Sequence, residues 1–154
     1  MPILSDNSIL SRVNDGTLRI EPFEESCLTP NGYDLRIGEI MVDNNIHRDG
    51  AVSVPKGTWF AVSTMEYIGM PGDLVGMLWL KTRWARKGVI GSFGAVDAGF
   101  EGELTLSLYS SRTDIELQIG DKLVQIVFIT MDEVPKMLYS DRSGNYYRQR
   151  GIRL

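Results

Sequence analysis

The chain has one cysteine, Cys27, and one histidine, His47, in 154 residues. A lone cysteine excludes a disulfide framework, and one cysteine with one histidine excludes a Cys/His zinc site, so any metal must be held by oxygen ligands. A single histidine also argues against a cupin-like metal barrel. No apolar run approaches the roughly 18 to 20 residues needed to cross a bilayer, and Met1 to Ile9 lacks a basic segment followed by an apolar one. The expected location is therefore the cytoplasm, with no membrane partner. The net charge of -4 does not supply the basic surface that duplex nucleic acid requires, although a small anion in a local basic pocket remains compatible with it.

Hydrophobic residues at 43% and charged residues at 23% are the proportions of a soluble globular chain. The length suits one domain, residues 1–154, with its own core. Ser5 can cap a helix whose apolar residues Ile9, Leu10 and Val13 fall at helical spacing before Asp15-Gly16 stops it. The period then changes to two. Short runs at 32–40, 59–63, 74–80, 104–109 and 123–130, separated by Gly, Pro, Asn and Asp, predict an all-β sandwich or closed barrel. In Leu104-Thr-Leu-Ser-Leu-Tyr109 the leucines point to one face and Thr105, Ser107 and Tyr109 to the other. Thr82 to Gly88 reads as one helical turn, capped by Thr82 and closed by Gly88. The tail 141–154 is polar, with arginines around Tyr146 and Tyr147 and no period of its own. It is expected to order only against another surface.

Four segments could carry chemistry. Ala95-Val-Asp-Ala-Gly-Phe-Glu-Gly-Glu-Leu104 places Asp97 at a strand end beside Gly99 and Gly102, which permit a tight turn that brings backbone close to a ligand. Lys81, Thr82, Arg83, Arg86 and Lys87 form a basic turn suited to phosphate oxygens. Asn31-Gly-Tyr-Asp-Leu-Arg-Ile37 enters a strand with Asp34 and Arg36 on one face. In Gly120-Asp-Lys-Leu-Val-Gln-Ile-Val-Phe128, Gln125 interrupts an apolar run and must find hydrogen bonds, either in the fold or on a ligand. Taken singly, an ordinary hairpin, a solvated charged turn, an exposed salt-bridging strand and a structural glutamine explain them as well or better.

In this order and spacing, however, the four segments resemble the dUTPase and dCTP deaminase superfamily, from the N-terminal helix to Gly151. The motifs read Gly32-Tyr-Asp-Leu-Arg36, Lys81 to Arg86, Val96-Asp-Ala-Gly-Phe-Glu-Gly-Glu-Leu-Thr105 and Gly120-Asp-Lys-Leu-Val-Gln125; the third is the specific one. The resemblance implies a distorted jelly-roll or β-clip barrel of the dUTPase type with a short N-terminal helix and one short internal helix. It also implies a homotrimer with sites at subunit boundaries. Asp97 would activate water for attack on the α-phosphorus of dUTP, and Phe100 would pack against the deoxyribose. Main-chain groups of the 97–102 hairpin would read the uracil. Thr82, Arg83 and Arg86, beside Lys81, would contact phosphates across the boundary, with Gln125 near the ligand. Tyr146, Gln149 and Gly151 match a Tyr-x-x-Gln-x-Gly segment that closes over the nucleotide. Mg2+ would be held by the three phosphates, with Asp34 reaching it only through water.

The zinc-free deamination of dCTP in this superfamily depends on a glutamate ten residues beyond the motif aspartate, and that position is Ser107 here. A serine cannot shuttle protons as a carboxylate does. The expected reaction is thus hydrolysis of dUTP to dUMP and pyrophosphate. The alternatives are dCTP deaminase, a bifunctional deaminase and dUTPase, or a catalytically weak nucleotide-binding member. The last is permitted by Lys81-Thr82-Arg83 where Arg-Ser-Ser is usual, because a point charge replaces a planar bidentate donor. Asn145 likewise stands where a basic residue commonly precedes the tyrosine.

Overall fold

The computed structural model describes residues 2–142 and 144–154. Met1, in the start read as leaderless, and Ser143, in the predicted tail, lie outside them. The chain opens with α1 (Asp6–Asn14), where Ser5 accepts a hydrogen bond from the Ser8 amide at 3.3 Å and Ile9 is fully buried. After β1 (Arg19–Glu21) and a 3-10 turn (Glu25–Cys27), Pro30 and Asn31 connect β2 (Leu28–Thr29) to β3 (Gly32–Val42). There follow β4 (Asn45–His47), β5 (Ala51–Val54), β6 (Thr58–Thr64), β7 (Tyr67–Gly69) and β8 (Leu74–Leu80). Helix α2 (Thr82–Arg86) precedes β9 (Val89–Gly91), β10 (Ala95–Val96), β11 (Glu101–Gly102), β12 (Thr105–Ser110), β13 (Ile115–Gln118) and β14 (Lys122–Thr130). A last single turn, α3 (Tyr139–Arg142), begins the tail.

The main sheet runs β10-β8-β14-β3-β6-β12-β9, with β2 and β4 paired to β3; β1-β7-β11 and β13-β5 form smaller antiparallel sheets. This is the expected all-β jelly-roll architecture. Alternation dictates its core: Leu106 and Leu108 of β12 are buried, while Ser107 and Tyr109 face outward. They join Phe60 and Val62 of β6, Leu35 and Ile37 of β3, and Ile126 and Phe128 of β14.

Three details differ from the sequence reading. Lys81, not Thr82, is the N-cap of α2 and gives no side-chain cap, because Trp84 decides where the turn sits. Its indole is fully buried and donates to the Lys122 carbonyl at 2.9 Å. The structure also has a third helix, α3, too short to leave a periodic signature; it is fixed from outside by the Tyr139 amide bonding the Ala98 carbonyl at 2.9 Å. Finally, the face of β3 carrying Asp34 is covered: Asp34 is 4% exposed.

The sheets meet at a buried ion pair. Glu66, 0% exposed at the corner between β6 and β7, accepts from the Arg36 amide at 2.9 Å and from Arg36 Nε at 2.7 Å. Its carbonyl accepts from Thr64 Oγ1 at 2.9 Å, and Thr64 Oγ1 in turn accepts from the Leu104 amide at 2.9 Å, at the head of β12. Burial pushes the Glu66 carboxyl above its usual pKa, against the pull of the Arg36 contacts. Removing one partner of such a pair strands a buried charge. Glu66→Ala should therefore cost about 3–5 kcal/mol, read as a fall in the urea midpoint.

A second pair is titratable. Arg12 of α1 grips Asp73 with two bonds of 3.1 and 2.7 Å, holding the helix against the β7–β8 corner. These bonds depress the Asp73 pKa below 3.8. A depressed carboxyl stabilises fully above its unfolded value and loses that contribution as the pH falls through the folded one. Arg12→Ala should therefore lower the melting temperature at pH 7 and narrow the gap to wild type below about pH 4, as followed by circular dichroism.

Candidate active site

Asp97 owes its place to two constraints. Val96 lies opposite Gly76 on β8, where a Cβ would sit 3.2 Å from Val96 Cβ and 2.7 Å from Ile126 Cδ1, so the glycine eases the close approach of β10. Immediately afterwards the chain turns, with the Phe100 amide bonding the Asp97 carbonyl at 3.0 Å. The turn is tied to Met70 by the Gly99 amide at 3.2 Å and the Phe100 carbonyl at 2.8 Å. The Asp97 side chain is left exposed, with no hydrogen-bond partner among the described residues.

It opens onto a cavity of about 450 Å³ lined also by Phe100, Ser107, Tyr146, Gln149 and Arg153. Phe93, Leu104 and Leu106 supply apolar wall. Phe100 is 6% exposed and packs edge-on to Tyr139, with ring centroids 5.4 Å apart. Asp97 carries the sole acidic side chain and Arg153 the sole cationic one in this lining, among the described residues. Thus Asp97, Phe100, Tyr146 and Gln149 meet in one place, as the sequence reading grouped them.

The tail supplies one side of this cavity, through Tyr146, Gln149 and Arg153. Gln149 bridges to Gly102 in parallel, and the Glu103 amide donates to the Gln149 carbonyl at 3.0 Å. A Cβ on Gly102, whose φ is +146°, would lie 3.1 Å from the Gln149 amide nitrogen. The glycine therefore admits the tail, rather than only a ligand as its position beside Asp97 suggested. Gly151 does not line the cavity; its amide donates to Glu103, and the Ile152 amide donates to Glu39 at 2.9 Å. Arg150 lies 4.2 Å from the Tyr67 ring centroid and 3.3 Å from Glu103. Burial, then the nearby Glu101 carboxylate, raises the Tyr67 hydroxyl pKa, so it stays protonated and donates to Glu101 Oε2 at 3.5 Å. Gln149 Oε1, by contrast, is buried with no partner among the described residues.

The remaining expected residues lie elsewhere on the same chain. Lys81 Nζ meets Asp34 Oδ2 at 2.5 Å, with Lys122 Nζ at 4.0 Å. Gln125 sits opposite Asp34 on the neighbouring strand and gives one Nε2 hydrogen to Thr29 Oγ1 at 2.6 Å, leaving its other N–H and its carbonyl. Thr82, Arg83 and Arg86 are exposed on α2, where the Arg83 guanidinium stacks 4.5 Å from the buried Trp84 ring. None of them lines the Asp97 cavity. Phe93, Tyr139 and Arg153, which do line it, were not singled out from the sequence. The only signal for Phe93 is its place in Gly91-Ser-Phe-Gly94, and Tyr139 and Arg153 carried none beyond residue type.

This geometry agrees with comparisons to known proteins. A family model described as dCTP deaminase-like matches residues 39–131, and the chain belongs to that family. A protein named dCTP deaminase from Pyrococcus horikoshii is 40% identical over 132 residues, 82% of this chain and 83% of its own. A probable deoxyuridine 5'-triphosphate nucleotidohydrolase of Sulfolobus islandicus rod-shaped virus 1 is 32% identical over 158 residues, 99% of this chain and 97% of its own. Among solved structures, the 2'-deoxycytidine 5'-triphosphate deaminase of Agrobacterium tumefaciens shares the fold, with a TM-score of 0.73 at 20% identity over 82% of this chain and 47% of its own. Solved dUTPases share it as well.

The tail's grip rests on Glu103, which takes two donors, the Gly151 amide and Arg150. Hydrogen bonds to a charged group are each worth about 1.5–3 kcal/mol. Glu103→Ala should accordingly speed amide exchange of residues 149–152 by roughly tenfold or more while exchange in the β3 and β14 core stays slow. Mass-resolved hydrogen exchange would show both.

Proposed function

We propose that the protein hydrolyses dUTP to dUMP and pyrophosphate. The carrying observation is that the cavity lining holds one acidic side chain, Asp97, and an uncharged Ser107. A deaminase of this family needs a carboxylate at the base to move protons, and one carboxylate cannot serve both the base and the α-phosphate.

Asp97, exposed and free of internal partners, takes a proton from a water. The water oxygen bonds to the α-phosphorus as the bond from phosphorus to the α,β-bridging oxygen breaks, and pyrophosphate leaves with that electron pair. The apolar edge of Phe100 suits deoxyribose, since a ribose 2'-hydroxyl would lie unpaired against it. Tyr146 and Gln149 close the cavity and exclude bulk water, with Gly151 anchoring the segment that carries them.

Lys81, Thr82, Arg83 and Arg86 lie outside the cavity, so they serve the phosphates of a neighbouring copy's site. That arrangement supports a homotrimer, as does an outward apolar stripe: Ile90, Tyr109 and Trp59 are neighbours across β9, β12 and β6, each more than 40% exposed. Light scattering should give three times the chain mass, and a monomer at working concentration would remove the shared-site arrangement.

For Mg2+, no group of three His, Cys, Asp or Glu side chains is placed to hold a metal among the described residues. Asp34 Oδ1, buried without a partner, fits an acceptor for a metal-bound water, so the residues suit an ion carried by the phosphates. When bound, that ion neutralises phosphate charge.

A second reading, deamination of dCTP, is favoured by the deaminase names of the cellular relatives. Incubation with dUTP and dCTP separately, followed by chromatography of base and pyrophosphate, decides between the two. Formation of dUMP with dCTP untouched is expected, and release of a uracil nucleotide from dCTP would overturn the proposal. Asp97→Asn should lower turnover by roughly 10²–10⁴-fold with nucleotide affinity nearly unchanged; equal turnover would remove Asp97 from the mechanism.

A further inference from the structure

Trp59 Nε1 donates to Ser107 Oγ at 2.6 Å. Register explains how they meet. Tyr109 lies opposite Trp59 and Ser107 opposite Ala61, so Trp59 and Ser107 are diagonal neighbours on one face. Ala61 offers only a methyl group between them, which lets the indole lie back along β6 to reach the serine.

An indole N–H can only donate, so Ser107 must be the acceptor. One lone pair is thereby used, and the serine's hydrogen is left to give away. No side-chain or main-chain oxygen takes it among the described residues, and Ser107 lines the cavity.

The cavity has two distinguishable ends. Its wall runs along the chain from Ser92 to Asp97. Ser92 follows Gly91, which pairs with Leu108 beside Ser107, whereas Asp97 stands beyond the end of β10. With the α-phosphate at Asp97, as the proposed function has it, the base falls at the Ser107 end beside Phe93, away from the 97–102 hairpin from which the resemblance expected it to be read.

We infer that Ser107, its hydroxyl oriented by Trp59, is a specificity-determining residue that donates a hydrogen bond to the 4-carbonyl of uracil and disfavours the 4-amino group of cytosine. Trp59 is the positioning residue. A uracil carbonyl accepts the free hydrogen. A cytosine amino group sets N–H against O–H, and to accept from it the hydroxyl must turn its hydrogen away from the base and give up that bond. The inference rests on the proposed function for the placement of the base.

The test is calorimetric binding of the non-hydrolysable α,β-imido analogues of dUTP and dCTP, each with Mg2+, to wild type, Trp59→Phe and Ser107→Ala. Both side chains face outward, and a melting curve and light scattering for each variant confirm that it is folded and keeps the wild-type assembly. Wild type should bind the uracil analogue more tightly, and each variant should cut the uracil-to-cytosine affinity ratio by about tenfold, mainly through weaker uracil binding. Trp59→Phe keeps the serine, so a loss there reports the orientation of the hydroxyl rather than its presence. An unchanged ratio in both variants, with wild type still preferring uracil, overturns this inference and leaves the proposed function standing. Wild type that binds neither analogue, or prefers the cytosine one, overturns the proposed function and with it the inference.

Discussion

The Arg36–Glu66 pair is the contact on which the site's geometry depends. A carboxylate and a guanidinium taken out of water repay their desolvation only when their remaining hydrogen-bonding capacity is also met. Here Glu66 satisfies both oxygens on Arg36, one through the backbone of β3 and one through the guanidinium. The guanidinium reaches on to the Pro22 carbonyl at 3.0 Å. That single corner fixes the bend from β6 into β7. Through Thr64 it fixes Leu104, so the strand carrying Ser107 starts in register. Through β7 it places β11, because Gly102 pairs with Ile68 and Glu101 with Gly69. A charged pair suits this task better than an apolar contact, since its bonds are directional and allow one register only.

Everything that closes the cavity hangs from β11. The tail has no apolar periodicity and buries little of its own surface, so its order comes from backbone hydrogen bonds to Glu101 and Glu103 and from carboxylates aimed at its amides. Such a segment binds with modest energy and opens without disturbing the core. On the proposed function those properties suit a lid over the nucleotide, because product must leave as readily as substrate is enclosed. The two carboxylates that hold Gly151 and Ile152, Glu103 and Glu39, are on different strands, so the tail also clamps β3 to the hairpin that bears Asp97.

Where a segment buries one face and shows the other, its sequence declared it. The leucines of β12, the run of β14 and the capped helix after Ser5 were readable because alternation and helical spacing are imposed by burial. Strands of two to four residues, such as β2, β10 and β11, were not, since their pairing is decided by neighbours far along the chain rather than by local composition. The grouping of Asp97, Phe100, Tyr146 and Gln149 came from the resemblance of the motifs, not from periodicity. Trp84 shows what was invisible: amid five basic and hydroxyl neighbours it reads as part of a solvated turn, yet its indole is the peg that seats α2. Asp34 misled in the same way, because its cover is supplied by Lys81, 47 residues away.

Ser107 occupies a position where chemistry can change without cost to the fold. It points outward from β12, while the alternate residues Leu106 and Leu108 carry the packing. A substitution there exchanges solvent-side contacts and leaves core volume and strand register untouched, whereas the same exchange one residue away would bury a polar group or open a cavity. Relatives that share this scaffold under the names dCTP deaminase and dUTP nucleotidohydrolase are therefore compatible with one fold. With the base at this point of the cavity, as proposed, a carboxylate could move protons there, whereas a hydroxyl held by an indole could only recognise it. Trp59 sharpens that difference, since a glutamate in place of Ser107 would receive the same indole N–H, which stabilises its ionised form and opposes the proton uptake that deamination requires. On the proposed function, conversion of this chain to a deaminase consequently asks for change at Trp59 as well as at Ser107.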